Sequence, residues 1–134
     1  PDSISYDWLQ SLNKENHIFW LEHTDNVKDF LSSIDVFVLP TYYPEGLPKS
    51  LLEAGAMQLP LITTNTPGCK EVVHDGHNGF LVSIKDQVDL SQKMYELSLS
   101  KEKRVEMGEN SREIIVAEYD VKIVNDKTIK LYNL

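Results

Sequence analysis

The sequence is short of several things, and each shortage excludes something. A single cysteine, Cys69, rules out an internal disulfide and fits a reducing compartment, with the cytoplasm as the default. No stretch approaches the roughly 18 consecutive apolar residues of a membrane span, and none reads as a secretory signal. Glycine and proline number six each and are scattered, so there is no linker, low-complexity run or internal repeat. Positive charge is scarce too: 13 Lys and Arg stand against 21 Asp and Glu, a net charge of −8. That balance argues against binding nucleic-acid backbone or anionic lipid through the overall field. What remains is ordinary for one soluble globular domain, or part of one, with a single core: 134 residues, 41% hydrophobic and 25% charged.

The apolar pattern alternates between strand and helix. Ile4, Trp8 and Leu12 share a helical face, with Asp2 or Ser3 as cap. His17 to Leu21 reads as a strand. Asp25 or Asn26 caps a helix on which Val27, Phe30, Leu31 and Ile34 fall at i, i+3, i+4 and i+7. Continuous apolar strands follow at Val36–Leu39, Leu61–Thr64 and Phe80–Val82, without the alternation of a half-exposed sheet. The last third is helical: Leu90, Met94 and Leu97 mark one helix, Lys101 to Glu118 a second, and Val121, Val124, Thr128 and Leu131 a third. The class expected is α/β, a Rossmann-like, doubly wound parallel sheet with C-terminal helices.

The chemistry concentrates at Glu45-Gly46-Leu47-Pro48-Lys49-Ser50-Leu51-Leu52-Glu53, where seven residues separate two carboxylates. Glu45 falls in the loop after the first of these strands, and Glu53 in the helix that Pro48 opens. Helical geometry throughout would set them about 12 Å apart. Paired carboxylates that cleave glycosidic bonds stand about 5–9.5 Å apart, so this pair is too wide for that chemistry. A helix N-terminus between them attracts an anion such as a diphosphate. Gly46 lets backbone approach a ligand closely, and ionised carboxylates accept hydrogen bonds from sugar hydroxyls. A nucleotide sugar has those parts: Glu53 would take the ribose and Glu45 the transferred sugar.

The same segment resembles the Glu-(seven residues)-Glu element of family-4 retaining glycosyltransferases, which have the GT-B fold. The resemblance runs from about Ile18 to Val82. It includes Asp35-Val36-Phe37-Val38-Leu39-Pro40-Thr41, Pro60-Leu61-Ile62-Thr63-Thr64, Pro67-Gly68-Cys69-Lys70-Glu71-Val72-Val73 and Asp75-Gly76-His77-Asn78-Gly79-Phe80-Leu81-Val82. It is closest to the branch that builds capsules, O-antigens and lipid-linked oligosaccharides in bacteria. It implies that residues 1–134 form a nucleotide-sugar-binding domain incomplete at its N-terminal side, with the acceptor domain absent. It also implies a donor that is a UDP-sugar and an acceptor that is a saccharide or lipid-linked, reached through the missing domain. Glu45 would position the sugar or stabilise developing positive charge, Gly46 and Leu47 would give backbone N–H groups, and no metal or other cofactor would be needed. Transfer would need the missing part, so this stretch alone is expected to be inactive. In the full-length protein a peripheral place at the inner membrane face is open. Alternatives are a GT-B nucleotide-sugar epimerase and a catalytically silent sugar-nucleotide or partner-binding module.

Other residues have plainer readings. Lys49 is read as a solvated helix lysine and Cys69 as a small buried hydrophobe. Glu71 is read as bracing the short helix after Gly68. Tyr42 and Tyr43 either line the sugar pocket or pack on the loop, and Thr64 to Gly68 faces the same sheet edge. His74 and His77 belong to a turn region marked by Gly76, Asn78 and Gly79, not to a metal site. Two departures from the family pattern stand out: Glu22 where glycine is common, and Gln58 where glycine usually ends the helix. Gly55, inside that helix, costs roughly 1 kcal/mol against alanine. A parallel sheet lacking strands would leave pairing edges open, so self-association is expected.

Overall fold

Three apolar segments, each too short to bury itself, pair in parallel to form the centre of the molecule. They are β1 (Phe37–Leu39), β2 (Leu61–Thr64) and β3 (Gly79–Val82), in the order β1-β2-β3. Phe37 lies opposite Leu61, and Ile62 opposite Phe80. The computed structural model describes residues 4–12, 17–21, 23–43 and 46–132. Around the sheet run α1 (Tyr6–Leu12), α2 (Val27–Ser32), α3 (Lys49–Ala56), α4 (Cys69–Val72), α5 (Gln87–Leu99), α6 (Lys101–Glu118) and α7 (Val121–Tyr132). The expected parallel α/β class with C-terminal helices is what the chain forms.

All four residues of β2 are buried, because helices cover both faces of the central strand. Successive side chains point to opposite faces, so Leu61 joins Leu31, Leu51, Ala54, Val72 and Ile115. Ile62 joins Phe80, Val82, Leu97 and Met107 on the other face. Several buried polar groups fix loops. The Thr63 hydroxyl donates to the Leu39 carbonyl at 2.8 Å, and that of Thr64 donates to the Thr41 carbonyl, tying the carboxyl ends of β1 and β2 together. Asn78, fully buried, donates to the Val72 carbonyl at 3.0 Å and accepts from the His74 N–H at 2.7 Å. At the rim of β3, Lys93 Nζ stands 4.5 Å from the Phe80 ring centroid. Glu96 pairs with Lys93 at 3.6 Å and Lys103 at 2.6 Å. The Lys103 hydrogen bond holds the Glu96 carboxyl below its usual range.

Two expectations come out differently. Residues 17–21 form no strand; Ile18, Phe19, Trp20 and Leu21 are all exposed. A strand is held by its neighbour, and the described residues place none beside this segment. The first helix starts at Tyr6, leaving Ile4 outside it and exposed. Its expected caps, Asp2 and Ser3, lie outside the described residues, and the Ser5 hydroxyl accepts from the Trp8 N–H instead, at 3.3 Å. Gln58 does adopt the left-handed backbone, at φ 61°. Gly55 has a reason within the packing: a Cβ there would stand 2.9 Å from Ile115 Cγ1.

Candidate functional site

The segment that carries the expected chemistry leaves the carboxyl end of β1, the position at which open α/β sheets bind ligands. Pro44 and Glu45 lie outside the described residues. Gly46 is exposed, and a Cβ built on it would meet nothing within 4 Å, so the backbone there is open to an approaching ligand. Leu47 is also exposed. Pro48 is buried and serves as N-cap of α3 at φ −66°, one position before the first helical residue.

Because Pro48 brings no capping side chain, the start of α3 is uncapped among the described residues. The first backbone bonds are those of the Leu51 and Leu52 N–H groups to the Pro48 carbonyl, at 3.1 and 3.3 Å. The N–H groups of Lys49 and Ser50 come before them and have no partner within the helix, nor one elsewhere among the described residues. One turn on, the Glu53 side chain is 39% exposed and stands 3.6 Å from Lys49 Nζ. An exposed lysine placed before its glutamate is the weaker order of such a pair, so little holds Glu53 back from a ligand.

Glu53 opens into a cleft of about 570 Å³ between α2 and α3, lined among others by Asn26, Leu31, Lys49, Met57 and Arg112. That volume lies within the range of small-molecule sites. Asn26 sets the near wall by capping α2, its side chain accepting from the Asp29 N–H at 3.3 Å. Buried Leu31 pins that helix to the core. Arg112 closes the far end from α6, its guanidinium donating to the Ala56 carbonyl. Sequence reasoning missed this arginine, since nothing local ties it to a glutamate 59 positions earlier. A second cavity, of about 330 Å³, lies at the outer edge of β1 among Val36, Val38, Met94 and Arg104, and Glu53 takes no part in it.

The remaining residues fall into place around these walls. Tyr42 and Tyr43 are both exposed rather than packed on the loop, with ring centroids 4.4 Å apart. A hydrogen bond from the Tyr42 hydroxyl pushes that of Tyr43 up from its ordinary value. Glu71 accepts from the Gly68 N–H and braces α4, and Cys69 is fully buried, as read from the sequence. His77 sits in the expected turn, its N–H bonded to the His74 carbonyl at 3.0 Å. His23 contacts Asp25 at 3.2 Å at the surface beside the cleft. Among the described residues, no helix is long and apolar enough to cross a membrane.

Comparison with known proteins points the same way. The family model described as "Glycosyl transferases group 1" matches residues 5–114. The N,N'-diacetylbacillosaminyl-diphospho-undecaprenol alpha-1,3-N-acetylgalactosaminyltransferase of Campylobacter jejuni is 29% identical over 133 residues, covering 99% of this chain and 34% of that protein. The UDP-Gal:alpha-D-GlcNAc-diphosphoundecaprenol alpha-1,3-galactosyltransferase of Escherichia coli is 28% identical over 131 residues, 98% of this chain and 33% of that protein. In structure, Anabaena HepE, solved in complex with UDP, matches 96% of this chain and 36% of its own at a TM-score of 0.85 and 21% identity. The chain therefore spans about a third of the length of the curated relatives it matches.

Proposed function

Because the chain belongs to the group 1 glycosyl transferases, we propose that it is the donor-binding part of an enzyme that moves a sugar from a UDP-sugar to a saccharide or lipid-linked acceptor. The observation that carries this reading is the juxtaposition at α3: an uncapped helix start next to a cleft into which Glu53 opens. The diphosphate sits at the N–H groups of Lys49 and Ser50, with Gly46 and Leu47 adding theirs from the loop. Glu53 accepts from the ribose hydroxyls inside the cleft. Glu45 serves the transferred sugar, either by accepting from its hydroxyls or by offsetting the positive charge that grows at the anomeric carbon. The helix start supplies the positive potential a diphosphate needs, so the reading requires no metal.

Retention of anomeric configuration follows in this scheme if the departing phosphate assists the acceptor's attack from the face it leaves. In an enzyme as long as the relatives above, the part beyond this stretch would hold the acceptor and the remaining cations for the diphosphate. The relatives in Campylobacter and Escherichia are named for diphospho-undecaprenol acceptors, which favours synthesis of a bacterial surface polysaccharide or its lipid-linked precursor. In this reading the work is done at the cytoplasmic side, with only peripheral membrane contact.

The test is a calorimetric titration of UDP, GDP and UDP-sugars into the full-length protein, with Glu53→Ala alongside. UDP should bind, and Glu53→Ala should weaken it by about tenfold or more, the loss of a charged acceptor from two hydroxyls. A variant that binds UDP as tightly as the unaltered protein would remove Glu53 from the site. Sugar transfer that continues in chelator would support the metal-free reading, and epimer formation without an acceptor would favour the epimerase class instead.

A further inference from the structure

A third cavity opens at the carboxyl ends of the strands, on the face of the sheet opposite the Glu53 cleft. It measures about 210 Å³ and is lined among others by Pro40, Tyr42, Thr64, Val82, Lys85 and Leu90. Thr64 and Val82 at the ends of β2 and β3 meet Pro40 and Ser83, which follow β1 and β3, and neither Glu53 nor any other residue named for the cleft lines this cavity. Its surface is mostly apolar, and among the described residues its one cation is Lys85. Lys85 Nζ stands 5.3 Å from the centroid of the Tyr42 ring, within cation–π reach. Among the described residues no carboxylate pairs with it. Asp86 also lines the cavity, but its carboxylate accepts from the Asp89 N–H at 2.9 Å and caps α5.

The backbone at Lys85 is unusual. Asp86 N–H bonds the Ser83 carbonyl at 3.2 Å, closing a four-residue turn whose third position is Lys85 at φ 61°. Turns of that shape give this position to glycine, because a Cβ is strained there. The turn thus carries a long cationic side chain where none is needed for the turn itself, and that side chain lies along an exposed tyrosine.

We infer that this cavity is a subsite for a sugar unit of the acceptor that carries an oxyanion, either a uronate carboxylate or a phosphate ester. Lys85 meets the anion, and the Tyr42 ring takes the apolar face of the sugar. The inference rests on the transferase reading above: both substrates meet at the carboxyl ends of the strands, the nucleotide lies at the α3 cleft, and the separate cavity beside Tyr42 is left for the acceptor. An apolar pocket with one ammonium held on an aromatic ring selects a ring-shaped ligand with one negative charge over a neutral one.

The experiment titrates methyl glucuronide, glucose 1-phosphate and methyl glucoside into UDP-saturated full-length protein, read by ligand-observed NMR. One or both anionic sugars should bind about tenfold more tightly than the neutral glucoside, the worth of one charge-assisted hydrogen bond. Which of the two binds tells carboxylate from phosphate. Lys85→Gly, which suits the turn and should unfold no sooner on heating, should abolish the preference; Tyr42→Ala should weaken all three sugars. Equal binding of the three sugars, or a preference that survives Lys85→Gly, overturns the inference. UDP binding in the same samples separates the failures: sugars that bind alike while UDP binds leave the donor reading standing, whereas loss of UDP binding removes the premise and the inference with it.

Discussion

At Gln58 the main chain turns left-handed to end α3, and two backbone bonds close the turn. The Gln58 N–H reaches the Gly55 carbonyl at 3.1 Å and the Leu59 N–H the Ala54 carbonyl at 3.2 Å, the paired pattern that usually has glycine at its left-handed residue. Gln58 keeps the pattern and carries the strain. Gln58→Gly should therefore raise stability by about 1 kcal/mol, read as a higher midpoint in denaturant unfolding; an unchanged or lower midpoint would mean that contacts of the glutamine side chain offset the strain. This position was legible in the sequence, because Leu59-Pro60 follows and a helix must stop before it. Arg112 was not, since its worth lies in the Ala56 carbonyl, a partner 56 residues away.

Among the elements, α3 does most to define the site, and α6 holds it in place. Gly108 of α6 lies so near the end of α3 that a Cβ would stand 2.1 Å from the Gln58 carbonyl oxygen. Ile115 packs against Gly55 from the same helix, and Arg112 grips the Ala56 carbonyl. Gly108→Ala would have to push the two helices apart, at a cost of about 2–3 kcal/mol. Because Glu53 rides on α3, the same variant should also weaken UDP binding in the full-length protein. A drop in melting temperature with UDP affinity intact would show that the helix pair adjusts without moving the cleft. The periods of α5 and α7 were readable from their apolar positions, and α6 keeps the bounds expected of it. The segment 17–21 misled, because β-rich composition says that a strand is possible but not that a neighbour is there to pair with it.

For the molecule as a whole, a three-stranded parallel sheet leaves the outer edge of β1 without a neighbour among the described residues. The apolar side chains of residues 18–21 are exposed as well. An unpaired edge with apolar surface favours pairing between copies. The isolated chain should therefore exceed its 15.3 kDa monomer mass in light scattering at high concentration. A monomeric mass throughout would count against that expectation, with the net charge of −8 as the opposing force. By itself the sequence determined the strand–helix alternation, the parallel class and the residues of the Glu45–Glu53 segment, because these depend on local periodicity, on proline and glycine chemistry, and on the kind of atoms each side chain presents. Only the tertiary structure decided which walls face Glu53, that no side chain among the described residues caps the start of α3, and that Lys85 lies over Tyr42 across the end of the sheet. Those are contacts between residues far apart in the chain, and they exist only once burial of the two apolar faces of β2 has drawn the helices together.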